Sequence, residues 1–172
     1  MHPLHLFRYC PLCGSERFVE NNFKSKRCEQ CGFVYYFNSS AATAIFVTNK
    51  SEELLVVRRA KYPAKGTLDL PGGFTDMYET AEEAIIRELK EETGLLIYYP
   101  EYLFSLPNIY RYSGFDVHTV DLFFQCSIDS FSGLQAGDDA ESLYFLKKDK
   151  IKPEEFGLNS IRRAVEIWLE NY

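Results

Sequence analysis

The stretch that most constrains this chain runs from Gly73 to Leu95, G-F-T-D-M-Y-E-T-A-E-E-A-I-I-R-E-L-K-E-E-T-G-L. Pro71, Gly72 and Gly73 lead into it with a sharp turn that tolerates close backbone approach. From Thr80 the residues favour helix. Thr80 is placed to cap it, and Glu83, three residues on, completes a capping box. Ala81, Ala84, Ile85 and Leu89 form an apolar stripe, and Gly94 ends the helix. Glu88, Glu91 and Glu92 fall at i, i+3 and i+4 and crowd one other side. Carboxylates at that spacing repel one another unless a cation lies between them. Hard divalent ions take oxygen ligands and suit such a cluster. A solvated acidic face has the same composition, so charge alone does not separate the two.

Cysteines mark a second unit. Cys10-Pro-Leu-Cys13-Gly14 and Cys28-Glu-Gln-Cys31-Gly32 are C-x-x-C-G knuckles separated by fourteen residues. Each offers two thiolates to one ion, and four sulfurs close a tetrahedral zinc site with no open position for chemistry. Disulfides are disfavoured in a reducing compartment, and sulfur ligands alone also admit iron. The repeated knuckle with its trailing glycine favours structural zinc. Residues 15–27 alternate enough for a small hairpin turning at Asn21-Asn22. Lys24, Lys26 and Arg27 form a minor basic cluster beside Glu16, Glu20 and Glu29. That balance, with a net charge of −6, argues against a nucleic-acid partner. No apolar run reaches a membrane span and the start lacks a signal-peptide pattern, so a cytoplasmic protein without a membrane partner is expected. A chain of 172 residues, 46% hydrophobic, suffices for one ordinary domain and a small module. The boundary is placed between 1–37 and 38–172.

Phe33 to Phe37 is strand-prone, and Asn38-Ser39-Ser40 reads as a hinge. Strands are predicted over Ala41–Thr48 and Leu54–Arg59, with Asn49-Lys50-Ser51 as the turn. Alternation sends Arg58 and Arg59 to opposite sides, so one of them faces a substrate; an ordinary surface pair is the alternative. Ile97–Ser105 is predicted as strand. Tyr110 and Tyr112 share a face of the next segment with Arg111 between them, and Ser113-Gly114 breaks it. Val117–Ile128 is a long strand holding Cys126, read as a buried core thiol. Gly133–Asp139 is a loop, and Glu141 opens a last short strand. Ile161, Val165, Trp168 and Leu169 have helical spacing, giving a packing helix from about Ser160. Strands on both sides of a mid-chain helix, with a second helix at the end, give an α/β fold with a mixed sheet.

Gly73, Glu79, Arg87, Glu88, Leu89, Glu91, Glu92, Gly94 and Leu95 match G-x5-E-x7-R-E-U-x-E-E-x-G-U, where U is a bulky aliphatic. The chain therefore resembles the Nudix hydrolases, whose box this is. The resemblance implies an α/β/α sandwich with a mixed sheet behind a zinc ribbon. It also implies hydrolysis of a nucleoside diphosphate linked to another group. In it Glu88, Glu91 and Glu92 hold Mg²⁺ or Mn²⁺ with a carbonyl of Gly72 or Gly73, Arg87 orients a carboxylate, and Glu79 pairs with Arg87. The general base is either a box glutamate or a downstream acid such as Glu141. A silent ligand sensor is disfavoured because every box glutamate is kept, and an RNA cap-removing enzyme by the acidic balance.

A zinc ribbon before a Nudix domain is similar to the NADH pyrophosphatase branch, which also implies a homodimer. That branch carries S-Q-P-W-P-F-P-x-S where this chain has Ser105 to Ser113. Here Ser105, Pro107 and Ser113 match, Phe becomes Tyr110, and Gln, Trp and the later two Pro are lost. With that signature goes the reason to expect a preference for reduced nicotinamide. Tyr110 or Tyr112 can stack on a base, and Arg111, Arg58 or Arg59 can meet a diphosphate. The expected substrate is a small nucleotide, with ADP-ribose hydrolysed at least as well as NADH.

Overall fold

Contacts divide the chain into two units, Met1–Ser39 and Ser40–Tyr172, in a computed structural model that describes residues 1–129, 133–137 and 140–172. The first unit is an antiparallel sheet of β1 (Phe18–Asn22), β2 (Ser25–Cys28) and β3 (Val34–Tyr36). Its hairpin turns at Phe23-Lys24, two residues beyond the expected Asn21-Asn22. The cause is local: the Asn22 side chain accepts the Lys24 N–H at 3.0 Å, so Asn22 leads into the turn and still pairs with Ser25. Cys10, Phe18 and Cys28, backed by Phe33, form its hydrophobic cluster, and Leu4 is also fully buried. So small a core does not stabilise about forty residues by itself.

The second unit contains β4 (Ser40–Asn49), β5 (Glu53–Arg59), β6 (Leu68–Asp69), β7 (Gly72–Phe74), α1 (Ala81–Thr93), β8 (Glu101–Tyr112), β9 (Phe115–Ile128), β10 (Ala140–Lys147) and α2 (Asn159–Asn171). The sheet runs β10-β5-β4-β9-β8, with β4 and β9 parallel and the other pairs antiparallel. It is the mixed sheet between helices that the sequence suggested. Alternation builds its two cores. Phe46, Val56 and Phe123 pack with Ile161, Ala164, Val165 and Trp168 of α2. Ile45, Val47, Leu55 and Phe124 pack with Ile85 and Leu89 of α1 on the other face.

Two details differ from the sequence reading. β8 begins at Glu101 rather than Ile97. Pro100 precedes it, Ile97 is buried with α1, and Tyr98 and Tyr99 are exposed, so their alternation records loop packing. The strand then runs unbroken to Tyr112, and Ser113-Gly114, both at positive φ, close a two-residue hairpin onto β9. Cys126 is half-buried rather than fully enclosed, and burial pushes its thiol up to about 11. Of the loop expected over 133–139, Asp138 and Asp139 lie outside the described residues. Among the described residues no helix is long and apolar enough to cross a membrane.

One irregularity positions the site. β4 and β5 pair only at Thr48↔Leu54 and then splay apart. β6 pairs with β5, and β7 with β4, inside the opening. In the chain linking them, Leu70-Pro71, the Pro71 carbonyl accepts the Ile45 N–H at 3.0 Å.

Trp168 stacks on Phe46 with ring centroids 5.1 Å apart and ties α2 to the sheet. Trp168→Ala should cost about 3–5 kcal/mol of unfolding free energy, measured by denaturant titration, with Trp168→Phe losing distinctly less.

Candidate active site

Helix α1 starts as the sequence predicts: Thr80 Oγ1 accepts the Glu83 N–H at 3.2 Å, and the Glu83 carboxylate accepts the Thr80 N–H at 2.8 Å. Burial of Ala84, Ile85 and Leu89 fixes its rotation. Arg87 is then held beside the loop before the helix. Its Nε and Nη2 donate to the two oxygens of Glu79 at 2.8 and 2.9 Å, a bidentate pair. Nη1 donates to Glu88 at 2.7 Å and to Glu91 at 3.2 Å, and Nη2 also reaches the Phe74 carbonyl at 3.0 Å. The Arg87 hydrogen bonds hold the Glu79 carboxyl below its ordinary range. Burial pushes Glu88 upward against the opposing pull of Arg87. The Arg87 guanidinium is stabilised in its charged form, chiefly by Glu79.

The two glycines of β7 bring this helix close. Gly72 sits at φ 150 and its N–H donates to Glu92 at 3.0 Å. A Cβ at Gly72 would strike the Thr43 carbonyl oxygen of β4. A Cβ at Gly73 would lie 2.5 Å from the Glu88 carboxyl carbon, so the bare backbone makes the cradle for that carboxylate. Glu88 and Glu92 thereby reach a cleft of about 470 Å³. Glu91 is more exposed and lies outside its described lining. Carboxylate oxygens with adjacent backbone form the donor set of a hard divalent ion, and these residues fit one.

The cleft's other wall is the face of the sheet that α2 leaves uncovered. Along β8 and β9 that face passes from Leu106 and Phe123, in the α2 core, to Asn108, Tyr110, Tyr112, Thr119 and Asp121 in the cleft. Tyr110 meets Phe74 edge-on at 5.8 Å and lies against Tyr112 at 6.4 Å. Arg59 enters from β5 and pairs with the buried Asp69. Burial opposes the Arg59 charge, but Asp69 more than offsets it and holds Arg59 above its usual value; burial pushes Asp69 up in spite of the arginine.

The structure therefore gathers Gly73, Glu88, Glu92, Arg59, Tyr110 and Tyr112 around one cleft, with Arg87 and Glu79 behind the carboxylates. Besides Glu91, three expected residues stand outside the cleft lining. Arg58 turns to the other face of β5, where it donates to the Tyr144 hydroxyl at 2.9 Å. Arg111 is carried away from Tyr110 and Tyr112 by strand alternation, and Asp116 takes its guanidinium at 2.7 Å. Glu141 lies exposed at an irregularity of the β5–β10 pairing and is absent from the described cleft lining. Sequence reasoning passed over Asp69, Asn108 and Asp121. Their signal was polarity at otherwise apolar strand positions, as in Leu-Asp-Leu at 68–70.

In the first unit the Cys10, Cys13, Cys28 and Cys31 sulfurs all lie within 4.8 Å of one another, with Cys10 to Cys31 at 3.7 Å and Cys13 to Cys28 at 3.6 Å. Four sulfurs about 2.3 Å from a tetrahedral zinc would stand roughly 3.8 Å apart. The backbone N–H of Cys31 draws the Cys28 thiol down to about 6. Backbone hydrogen bonds at Ser15 and Phe33 pull Cys13 and Cys31 the same way, but the crowding of neighbouring sulfurs and burial outweigh them and raise both.

Residues 38–165 match the NUDIX domain model. The chain belongs to the Nudix domain family. It is 34% identical over 125 residues to a protein of Methanocaldococcus jannaschii named ADP-ribose pyrophosphatase, covering 71% of this chain and 70% of that one. It is 24% identical over 162 residues to a Pseudomonas aeruginosa protein named NAD-capped RNA hydrolase NudC, covering 94% of this chain but 55% of the relative. A crystal structure of a NUDIX hydrolase from Nitrosomonas europaea has the same fold, with a TM-score of 0.72, 20% identity, and coverage of 95% of this chain and 90% of that one.

The two glycines ahead of the Nudix helix should respond differently to alanine. Gly72→Ala forces a Cβ into backbone and should destabilise the protein by about 1–3 kcal/mol in denaturant titration. Gly73→Ala meets only a side-chain end, so stability should change by about 1 kcal/mol or less while the Glu88 carboxylate is displaced.

Proposed function

We propose that this Nudix protein hydrolyses the pyrophosphate bond of ADP-ribose or a related NAD-type dinucleotide, with Mg²⁺ or Mn²⁺ held by Glu88, Glu91 and Glu92 and aided by the Gly73 backbone. The observation that carries the reading is one cleft of about 470 Å³ in which Glu88 and Glu92 stand opposite Tyr110 and Tyr112. A diphosphate needs the first wall and a nucleobase the second. The name of the Methanocaldococcus relative supports the same substrate.

In this mechanism Glu88, Glu91 and Glu92 would hold the divalent ion, which would supply charge neutralisation and acidify water. Arg87 holds Glu88 in place, and Glu79 holds Arg87. Glu88 or Glu92, both in the cleft lining, accepts the proton from the attacking water. That water forms a new P–O bond in line with the bridging P–O bond that breaks, giving AMP and ribose 5-phosphate from ADP-ribose. Arg59, steadied by Asp69, is a cleft cation placed to meet phosphate, and Lys61 lines the same cleft. Tyr110 or Tyr112 stacks on the base. Structural zinc occupies the four-cysteine cluster.

A second reading is hydrolysis of NAD-capped RNA. It is favoured because the Pseudomonas relative of that name matches 94% of the chain, a span too long for the second unit alone.

One panel of ADP-ribose, NADH and an NAD-capped oligonucleotide, compared by kcat/KM with Mg²⁺ or Mn²⁺, decides between them. ADP-ribose should be hydrolysed at least as well as NADH; a clear preference for NADH or the capped RNA overturns the substrate assignment. Glu91→Gln and Glu92→Gln should each lower kcat about 10²–10³-fold with the fold intact by circular dichroism, because a charge that stabilises the transition state is lost. Wild-type turnover in both would remove the carboxylates from the chemistry.

Elemental analysis should find one zinc per chain, unchanged by Cys126→Ser. Chelation should abolish the structure of the first unit, whose core is too small to persist without the ion. Iron, or four free thiols with no metal, would contradict the zinc assignment.

A further inference from the structure

The mechanism leaves one buried carboxylate in the cleft unused. Asp121 is 6% exposed and lies on the cleft floor. One of its oxygens accepts the Thr119 hydroxyl at 2.5 Å and the other the Ser160 hydroxyl at 2.5 Å. No cation pairs with it among the described residues; Arg59, the nearby arginine of the cleft, is bound to Asp69. A carboxylate this buried without a cation carries a large desolvation cost, and two hydroxyl donors leave part of its acceptor capacity unfilled. Ser160 fixes the carboxylate to the first turn of α2, so its direction is set by two elements.

Asn108 is its neighbour on the same face. The register pairs Leu106 with Asp121 and Asn108 with Thr119, which makes Asn108 and Asp121 diagonal neighbours across β8 and β9. Asn108 lines the cleft as well, and no described residue hydrogen-bonds its amide. Leu158 and Ile161 at the start of α2 supply an apolar wall beside this pair, and Tyr110 an aromatic one. A flat heterocycle lodged between such walls presents its polar edge to an acceptor from Asp121 and a donor from Asn108. Adenine offers the complement, an exocyclic amine that donates and a ring nitrogen that accepts. A 6-oxo purine held in the same pose would set its carbonyl oxygen against the carboxylate and its N1–H against the Asn108 donor.

We propose that Asp121, with Asn108 beside it, is the base-reading pair of this cleft and selects a 6-amino purine over a 6-oxo purine. The proposal rests on the nucleotide-binding reading of the cleft but not on hydrolysis. A purely structural role, in which Asp121 only pins α2 through Ser160, predicts no discrimination between bases.

The test separates binding from turnover. Affinities of AMP and IMP for the wild-type protein are measured by calorimetry, and kcat/KM for ADP-ribose and its inosine analogue is measured separately. AMP should bind about ten- to hundredfold more tightly than IMP, the range for a good two-point base contact. Asp121→Asn, whose amide can donate as well as accept, should bring the ratio close to one. Asn108→Ala, at a half-buried strand position whose loss the fold tolerates, should lower it without removing it. Equal affinity of the wild type for AMP and IMP, or no binding of either, overturns the proposal whether or not the variants fold. Selective AMP binding without ADP-ribose hydrolysis would keep the base-reading pair and remove the hydrolytic assignment instead.

Discussion

Arg87 makes the acidic helix possible. Glu88 and Glu91 share a side of α1 with it, and Glu79 approaches from the preceding loop; without a cation these charges would drive the segment apart. The guanidinium distributes five donor contacts among three carboxylates and the Phe74 carbonyl, a geometry that a lysine ammonium does not reproduce. Glu79 takes two of these contacts, so its loss would leave Arg87 with only single contacts to Glu88 and Glu91, and loss of Arg87 would take the shared cation from all three carboxylates. The same contacts fasten the loop after β7 to the helix, so one side chain sets both the charge balance and the position of the box against the sheet.

The cleft follows from where the sheet fails to close. β4 and β5 part after a single pairing, and the short strands β6 and β7 pair into the gap, with Leu68 and Leu70 turned into the α2 core and the bare Gly72-Gly73 backbone turned toward α1. Gly72 and Gly73 let α1 approach from one face, while the start of α2 leaves the ends of β8 and β9 bare on the other. A carboxylate wall from α1 and an aromatic wall from β8 and β9 thus meet at one opening. The buried Arg59–Asp69 pair stiffens the same seam, linking β5 to β6 at its floor.

The first unit obeys a different economy of forces. Its cluster of two cysteines and two phenylalanines is too small to oppose the chain entropy of its length, and its four sulfurs converge at the spacing a tetrahedral ion needs. The larger unit has an apolar core on each face of its sheet and needs no such staple.

Local rules made much of this legible in the sequence. The Thr80–Glu83 capping box, the apolar stripe of α1, the spacing of α2 and the cysteine knuckles depend on residues a few positions apart, and each is found where those rules place it. The turn at Phe23-Lys24 was missed by two residues because a side-chain acceptor moved it. Which arginine faces the cleft, and whether Tyr110 and Arg111 stay together, depended on strand phase. A period of two sends neighbours to opposite faces, and only the paired sheet says which face is covered. Asp121 and Asn108 are separated by the β8–β9 hairpin, and their proximity is a matter of register alone. Sequence determined the elements and the box; tertiary structure decided which side chains share a cavity, because burial is a property of the layers that meet around a residue.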